Sequence, residues 1–252
     1  MTIYELYEEL SAKYPESLRC EWDNDGLMCS DNPSKEVKKV LISLDITEKC
    51  VDYAVNNGFD AIISHHPLIF RPQNAITPFC YTQRKVIKLL KAGVTAMSFH
   101  TRLDAAQGGV NDMLCSILGL NNVTTDYSDP IGRIVELDKE TEISTFAENV
   151  KNKLCSPFVL YSGTKNVKKV YIVGGDGKDL IPNALKNGCD TLLTGRASYN
   201  TSIDAVDMGI NIIEAGHFYT EHPICVKIEK DIKAIDKEIY TEIFYSNTIK
   251  TV

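Results

Sequence analysis

Residues 35–66 read KEVKKVLISLDITEKCVDYAVNNGFDAIISHH, and residues 165–196 read KNVKKVYIVGGDGKDLIPNALKNGCDTLLTGR. Set side by side without a gap, the two stretches agree at ten of 32 positions. Lys35, Val37, Lys38, Lys39, Val40, Ile42, Ala54, Asn57, Gly58 and Asp60 meet Lys165, Val167, Lys168, Lys169, Val170, Ile172, Ala184, Asn187, Gly188 and Asp190. In the first copy, residues 39–45 form a β-branched apolar run that predicts a strand. Thr47 has the side-chain oxygen to cap a helix, Gly58 suits its end, and residues 60–64 are a second apolar run. Two strands joined by a helix make a βαβ unit, in which the strands run parallel and the helix covers the sheet. An ungapped match across such a unit points to internal duplication.

The flanking sequence extends the pattern. Residues 2–13 predict an opening helix: Thr2 and Glu5 have capping-box spacing, and Ile3, Leu6, Tyr7 and Leu10 share a face. A helix over 82–93, closed by Gly93, precedes a strand over 94–99. The second copy continues with a helix up to Gly209 and a strand over 210–216. The expected fold class is α/β, with largely parallel sheets covered by helices. Its expected halves are residues 1–125, including the N-terminal helix, and 126–252, of which 126–165 is a variable connecting segment.

Composition removes several classes of function. The formal charge is −7 with no dense block of Lys or Arg, which argues against nucleic-acid binding. No apolar stretch approaches the length that spans a membrane, and the N-terminus lacks the basic start and apolar run of a signal peptide. The eight cysteines are scattered without a Cys-x-x-Cys pair, which suits reduced, mostly buried thiols and a cytoplasmic protein.

The chemistry gathers at predicted strand ends. IISHHPLIF, residues 62–70, closes a strand with His65 and His66, and Pro67 biases His66 toward extended backbone. The next strand of each copy ends in MSFHTRLD (97–104) and IEAGHFYTE (213–221). With a one-residue slip, His100-x-x-x-Asp104 falls opposite His217-x-x-x-Glu221. Residues four apart share a helix face, so each copy directs an imidazole and a carboxylate toward one centre. Four of the five histidines thus meet two acids at the carboxyl edge of the strands, where open α/β sheets carry their sites.

Mixed imidazole and carboxylate donors suit zinc, iron or manganese better than calcium or magnesium. Six candidate donors exceed the three or four of a typical catalytic zinc site, so two ions roughly 3.5–4 Å apart are the expectation. Asp104 and Glu221 are the natural bridges, since each carboxylate has two oxygens to share. His65 and His66 either serve one ion each, or one orients the other. His100 is either a ligand or an outer group. His222, before Pro223, reads as the opening of a helix.

WDNDGL (22–27), SHHPLIF (64–70), HTRLDAAQGGVND (100–112), DTLLTG (190–195) and AGHFYTE (215–221) occur in this order along nearly the whole chain. In these motifs the sequence resembles the Nif-three-like dinuclear metal-centre proteins, often labelled GTP cyclohydrolase 1 type 2 homologs. The resemblance implies two similar intertwined α/β halves and a cytosolic homohexamer shaped as a toroid. It also implies two divalent metal ions per chain held by His65, His66, Asp104, His217 and Glu221, with His100 close by as the catalytic candidate. The expected activity is metal-dependent hydrolysis of a nucleotide-like or phosphate-containing small molecule. The alternative is a metal-binding hexamer that handles metal or binds partners without turnover. One departure stands out: TGRASYN (194–200) places Arg196 where the family commonly has an acid, and Tyr199-Asn200 where histidine is frequent. Arg196 is open to two readings, an anion contact or a solvated surface residue. So is Trp22, which either lines the site or anchors the N-terminal helix. GGDG (174–177) lacks the spacing of a nucleotide-binding loop and reads as a tight turn.

Overall fold

The identities that define the repeat make the same bonds in both copies. Asp60 accepts the backbone N–H groups of Lys38 and Lys39, and Asp190 accepts those of Lys168 and Lys169. Lys39 Nζ donates to the Asn57 carbonyl at 2.8 Å and Lys169 Nζ to the Asn187 carbonyl at 2.7 Å. Each Lys-Lys…Asn-Gly-x-Asp set therefore ties the start of one strand to the end of a helix and the start of the next strand. Gly58 and Gly188 turn the chain there at φ +65° and +68°, which costs a residue without Cβ nothing.

The computed structural model describes residues 1–252. In chain order the elements are α1 (Ile3–Lys13), β1 (Gly26–Cys29), β2 (Lys39–Ser43), α2 (Glu48–Asn56), β3 (Ala61–Ser64), α3 (Tyr81–Ala92), β4 (Thr95–Ser98) and α4 (Thr101–Ala105). There follow α5 (Val110–Leu118), β5 (Thr124–Asp126), β6 (Asp129–Thr141), α6 (Ile143–Lys153), β7 (Leu160–Ser162), β8 (Val167–Asp176) and α7 (Ile181–Lys186). The chain ends with β9 (Thr191–Arg196), α8 (Tyr199–Asp207), β10 (Asn211–Glu214), α9 (His217–Glu221), α10 (Ile224–Ile235) and β11 (Tyr240–Phe244). One sheet has the order β1-β4-β3-β2-β11, with only β1 antiparallel. The other has the order β5-β6-β8-β9-β10-β7, with a parallel centre of β8, β9 and β10. Local signals held: Thr2 and Glu5 form the capping box, and Thr47 caps α2.

The parallel strands are buried on both faces, as crossover helices require. Val170 and Ile172 of β8 face a core with Leu114, Phe146 and Val150, while Tyr171 and Val173 face another with Ala184 and Ala205. In the first sheet Leu41 and Ile62 pack with Val51, Ala54 and Leu89.

The chain divides into compact units of residues 1–103 with 224–248, and 104–223 with 249–252. The sequence reading drew its division at 125/126. The physical division differs because α10 and β11 return to the first sheet, where β11 pairs with β2. Asp231 of α10 receives Lys13 and Tyr14 from the end of α1, besides Lys227. The stretch 126–165 carries the last residue of β5 and all of β6, α6 and β7, and β6 pairs with β8. All eight cysteines are free; Cys50, Cys115, Cys189 and Cys225 are buried, and burial pushes the Cys50 thiol up to about 12. No helix is long and apolar enough to cross a membrane.

Asp126 supplies a measurable pH dependence. It is 3% exposed and accepts bonds from Ser128, from the Tyr171 hydroxyl at 2.9 Å and from Asn183. Burial raises its pKa, but these donors outweigh burial and hold it at about 2, below its ordinary 3.8. A depressed carboxyl stabilises the fold above its unfolded pKa and loses that contribution as pH falls through the folded value. Between about pH 4 and 2 the protein should therefore lose about 2 kcal/mol through this group alone. Urea unfolding over that range, compared with Asp126→Asn, measures it; an acid limb of equal size in both proteins counts against the assignment.

Candidate metal centre

In the first unit, the ends of β3 and β4 bring three imidazoles together. His65 and His66 follow β3 and remain tied to β2, through His65 N–H to the Ser43 carbonyl and His66 N–H to the Leu44 carbonyl. His65 is fully buried, and its Nδ1 lies 3.0 Å from the Phe99 carbonyl. His66 Nδ1 lies 2.8 Å from Asp45 Oδ1, and the other oxygen of Asp45 accepts the Ser246 hydroxyl at 3.2 Å. His100 Nδ1 lies 2.8 Å from Asp23 Oδ1, and Asp23 Oδ2 accepts both the N–H and the hydroxyl of Thr101. Burial raises the pKa of Asp23, but the bonds to His100 and Thr101 prevail and hold its carboxyl well below the ordinary range.

A carbonyl or carboxylate oxygen beside Nδ1 accepts a proton there, and in a neutral imidazole that makes Nε2 the nitrogen able to ligate. That is the outer-sphere arrangement typical of metal-ligating histidines. One nitrogen from each of His65, His66 and His100 lies within 4.8 Å of the others, and the ring centroids are 5.0, 5.2 and 5.5 Å apart. His65 and His66 thus each have an acceptor of their own at Nδ1.

In the second unit the donors are a histidine and two acids. α9 carries His217 at its first position and Glu221 at its last, with Nε2 and Oε2 2.8 Å apart. Asp104 lies on the single turn α4, four residues after His100, as the spacing predicts. One oxygen of Asp104 and one of Glu221 lie within 4.8 Å. Both acids are nearly buried, at 8% and 5% exposure.

Asn111 on α5 connects these pieces. Its Nδ2 donates to the Asp104 carbonyl at 3.2 Å, and its Oδ1 accepts the Gly174 N–H at 2.7 Å. GGDG is not the tight turn its sequence suggests: Gly174, Gly175 and Asp176 end β8, with a break in its pairing with β9. A Cβ on Gly175, at φ +66°, would stand 2.1 Å from Glu221 Oε1. Gly175 is small because the Glu221 carboxylate lies against the end of β8. Gly188 has nearly the same backbone, φ +68°, with nothing within 4 Å of a Cβ. Alanine should cost about 1 kcal/mol at Gly188 through the left-handed backbone, and about 2 kcal/mol more at Gly175 through crowding. Paired thermal unfolding measures the difference; equal costs at the two sites refute the crowding.

Neither Asp23 nor Asp45 was singled out by sequence reading, although WDNDGL marked the region. Trp22 lies edge-on to His100, its ring centroid 6.2 Å away, so it borders the imidazoles. The anchoring belongs to Asp25, which binds Arg102, and Arg102 in turn donates to the Tyr14 carbonyl. His222 stacks on Phe218 at 4.4 Å. Arg196 is exposed at the end of β9.

Comparison with known proteins places the chain. The family model Duf34/NIF3 (NGG1p interacting factor 3) matches residues 1–251. The chain belongs to the Duf34/NIF3 family. One Duf34/NIF3 relative, from Clostridium perfringens, is 37% identical over 87% of this chain and 86% of its own length, and is named GTP cyclohydrolase 1 type 2 homolog. A second, from Schizosaccharomyces pombe, is 31% identical over 86% of this chain and 83% of its own, and is named protein NIF3 homolog. The crystal structure of a Bacillus cereus protein related to NIF3 has the same fold, with a TM-score of 0.89 at 23% identity over 100% and 99% of the two chains. The groups brought together here could hold a metal ion, and imidazole nitrogens with carboxylate oxygens suit zinc, iron or manganese by type, whereas calcium and magnesium take oxygen alone.

Proposed function

We propose that His65, His66, Asp104, His217 and Glu221 hold two divalent transition-metal ions, zinc, iron or manganese, and that the protein hydrolyses a nucleotide-like or phosphate-containing small molecule. The observation that carries this reading is the trio of imidazoles, each held through Nδ1 by its own acceptor. Ions bound there supply Lewis acidity and a water of lowered pKa. The chain's own groups do the remaining work. Asp104 and Glu221 would offer carboxylate oxygens to the ions, and the Glu221 carboxylate is held close to His217 and against Gly175. His100, fixed by Asp23, is the group that passes a proton at Nε2 to or from the reacting molecule.

The names of the bacterial relatives support opening of a purine-nucleotide ring by water. The yeast name carries no activity and favours the second reading, a metal-holding protein without turnover. Family resemblance supports a cytoplasmic homohexamer. An exposed apolar row on α8, Tyr199, Ile203 and Val206, is consistent with assembly.

The test loads the protein with manganese, zinc or iron and screens GTP and phosphoesters. Hydrolysis abolished by Glu221→Gln supports the enzyme; full metal content with no turnover on any of these supports the holding protein. A separate test bears on the imidazoles. Asp45→Ala frees His66 to rotate and should weaken metal binding about 10–100-fold. Competition with a chromogenic chelator reads this, and unchanged affinity removes Asp45 from the centre.

A further inference from the structure

The WDNDGL and PLIF segments leave two aromatic side chains bare on one spot. Trp22 is 63% exposed and Phe70 43% exposed. Their ring centroids are 6.2 Å apart, and each lies 6.2 Å from the ring of His100. Trp22 is the only tryptophan in the chain. Covering an exposed indole would stabilise a fold by about 2 kcal/mol, so leaving it bare beside another bare aromatic needs a reason.

The segment that carries Trp22 is held rigidly. The next residue, Asp23, binds His100 and Thr101. Asn24 donates to the Ile69 carbonyl, which ties this segment to the residue before Phe70. Asp25 accepts the His100 N–H at 2.9 Å and binds Arg102. Three successive side chains fix the backbone, and the indole beside them stands in solvent. A rigid, exposed aromatic beside a polar cluster is suited to stacking a flat ring, because little ordering entropy is lost on binding.

We propose that Trp22 and Phe70 form the wall of a subsite for a planar heteroaromatic ring, seated beside His100. The inference deepens the proposed function and rests on it only for the chemistry at the imidazoles. It names the ring, rather than the phosphate or sugar, as the part of the ligand recognised by this unit. Asp23 and Asp25 are committed to His100, Thr101 and Arg102, whereas the Trp22 and Phe70 rings are exposed and are the surface proposed to meet the ring.

The sole tryptophan gives a direct signal. Zinc-loaded protein is titrated with GMP, UMP and nicotinamide mononucleotide, and with ribose 5-phosphate, which shares their phosphosugar and lacks a ring. At least one ring nucleotide should bind on the order of tenfold tighter than ribose 5-phosphate and quench Trp22 emission. By calorimetry, Trp22→Ala should erase that advantage, Trp22→Phe should keep most of it, and Phe70→Ala should reduce it, all with wild-type metal content. Equal binding of all probes, no binding by any, or loss of metal in Trp22→Ala overturns the subsite. So does emission from the free protein that resists acrylamide, which would place a second copy of the chain on the indole. Elemental analysis separates the two proposals. A ring-selective protein without metal sinks the metal centre alone, and a fully metallated protein indifferent to rings sinks the subsite alone.

Discussion

Elemental analysis of the purified protein is expected to give about two divalent transition-metal ions per chain. His65→Ala and His217→Ala should each lower this to about one ion or fewer. The two residues sit in different units, and each occupies a position no neighbour can fill. His65 is fully buried and fixed on the Phe99 carbonyl. His217 stands one helical turn from Glu221, its Nε2 2.8 Å from that carboxylate. Removing His65 takes one imidazole from the trio of the first unit, and removing His217 leaves the two acids of the second unit without an imidazole, so either change weakens binding of an ion of this class. His222→Ala is the matched control, since that ring packs on Phe218, and it should keep the full content. Full metal content in both His65→Ala and His217→Ala would remove the assignment.

The largest expected effect on stability is at Arg102 and Asp25. Both side chains are fully buried. Nε of Arg102 lies 3.1 and 2.9 Å from the two oxygens of Asp25, and Nη2 lies 2.7 Å from Oδ1. Nη1 donates to the Tyr14 carbonyl at 3.1 Å, and the guanidinium sits 5.0 Å from the centre of the Phe99 ring. Asp25→Ala strands a cation away from water and should cost about 3–5 kcal/mol, which lowers the melting temperature by about 10 °C in a chain of this size. Arg102→Met paired with Asp25→Ala should cost less than Asp25→Ala alone, because an apolar pair needs no partner. A cost below about 1 kcal/mol for Asp25→Ala would show that the guanidinium reaches solvent. The same variant should disturb His100, whose N–H is held by Asp25.

Much of the candidate site was legible because its donors are chemically distinctive and its spacing is local. His100 and Asp104, and His217 and Glu221, lie one helical turn apart, and a turn is readable from four-residue spacing. Asp23 was not legible as the partner of His100, because 77 residues separate them and an acid beside a turn is ordinarily a turn-former. Asp45 was hidden in the same way at the end of a strand, 21 residues from His66. GGDG reads as a tight turn, yet Gly174, Gly175 and Asp176 belong to β8, where the pairing with β9 is irregular; Gly175 answers to the Glu221 side chain, and a glycine does not announce what lies against it.

The sequence by itself determined the repeated βαβ units, the helix caps and which histidines and acids follow the strand ends. Periodicity, capping and ligand type act within a few residues, where the order of the chain is also the order in space. Only the tertiary structure decided that α10 and β11 complete the first sheet, that Asp23 and Asp45 orient imidazoles, and that Arg102 is buried on Asp25. These choices depend on contacts between residues tens to hundreds of positions apart, which the packing of the cores brings together and no local pattern encodes.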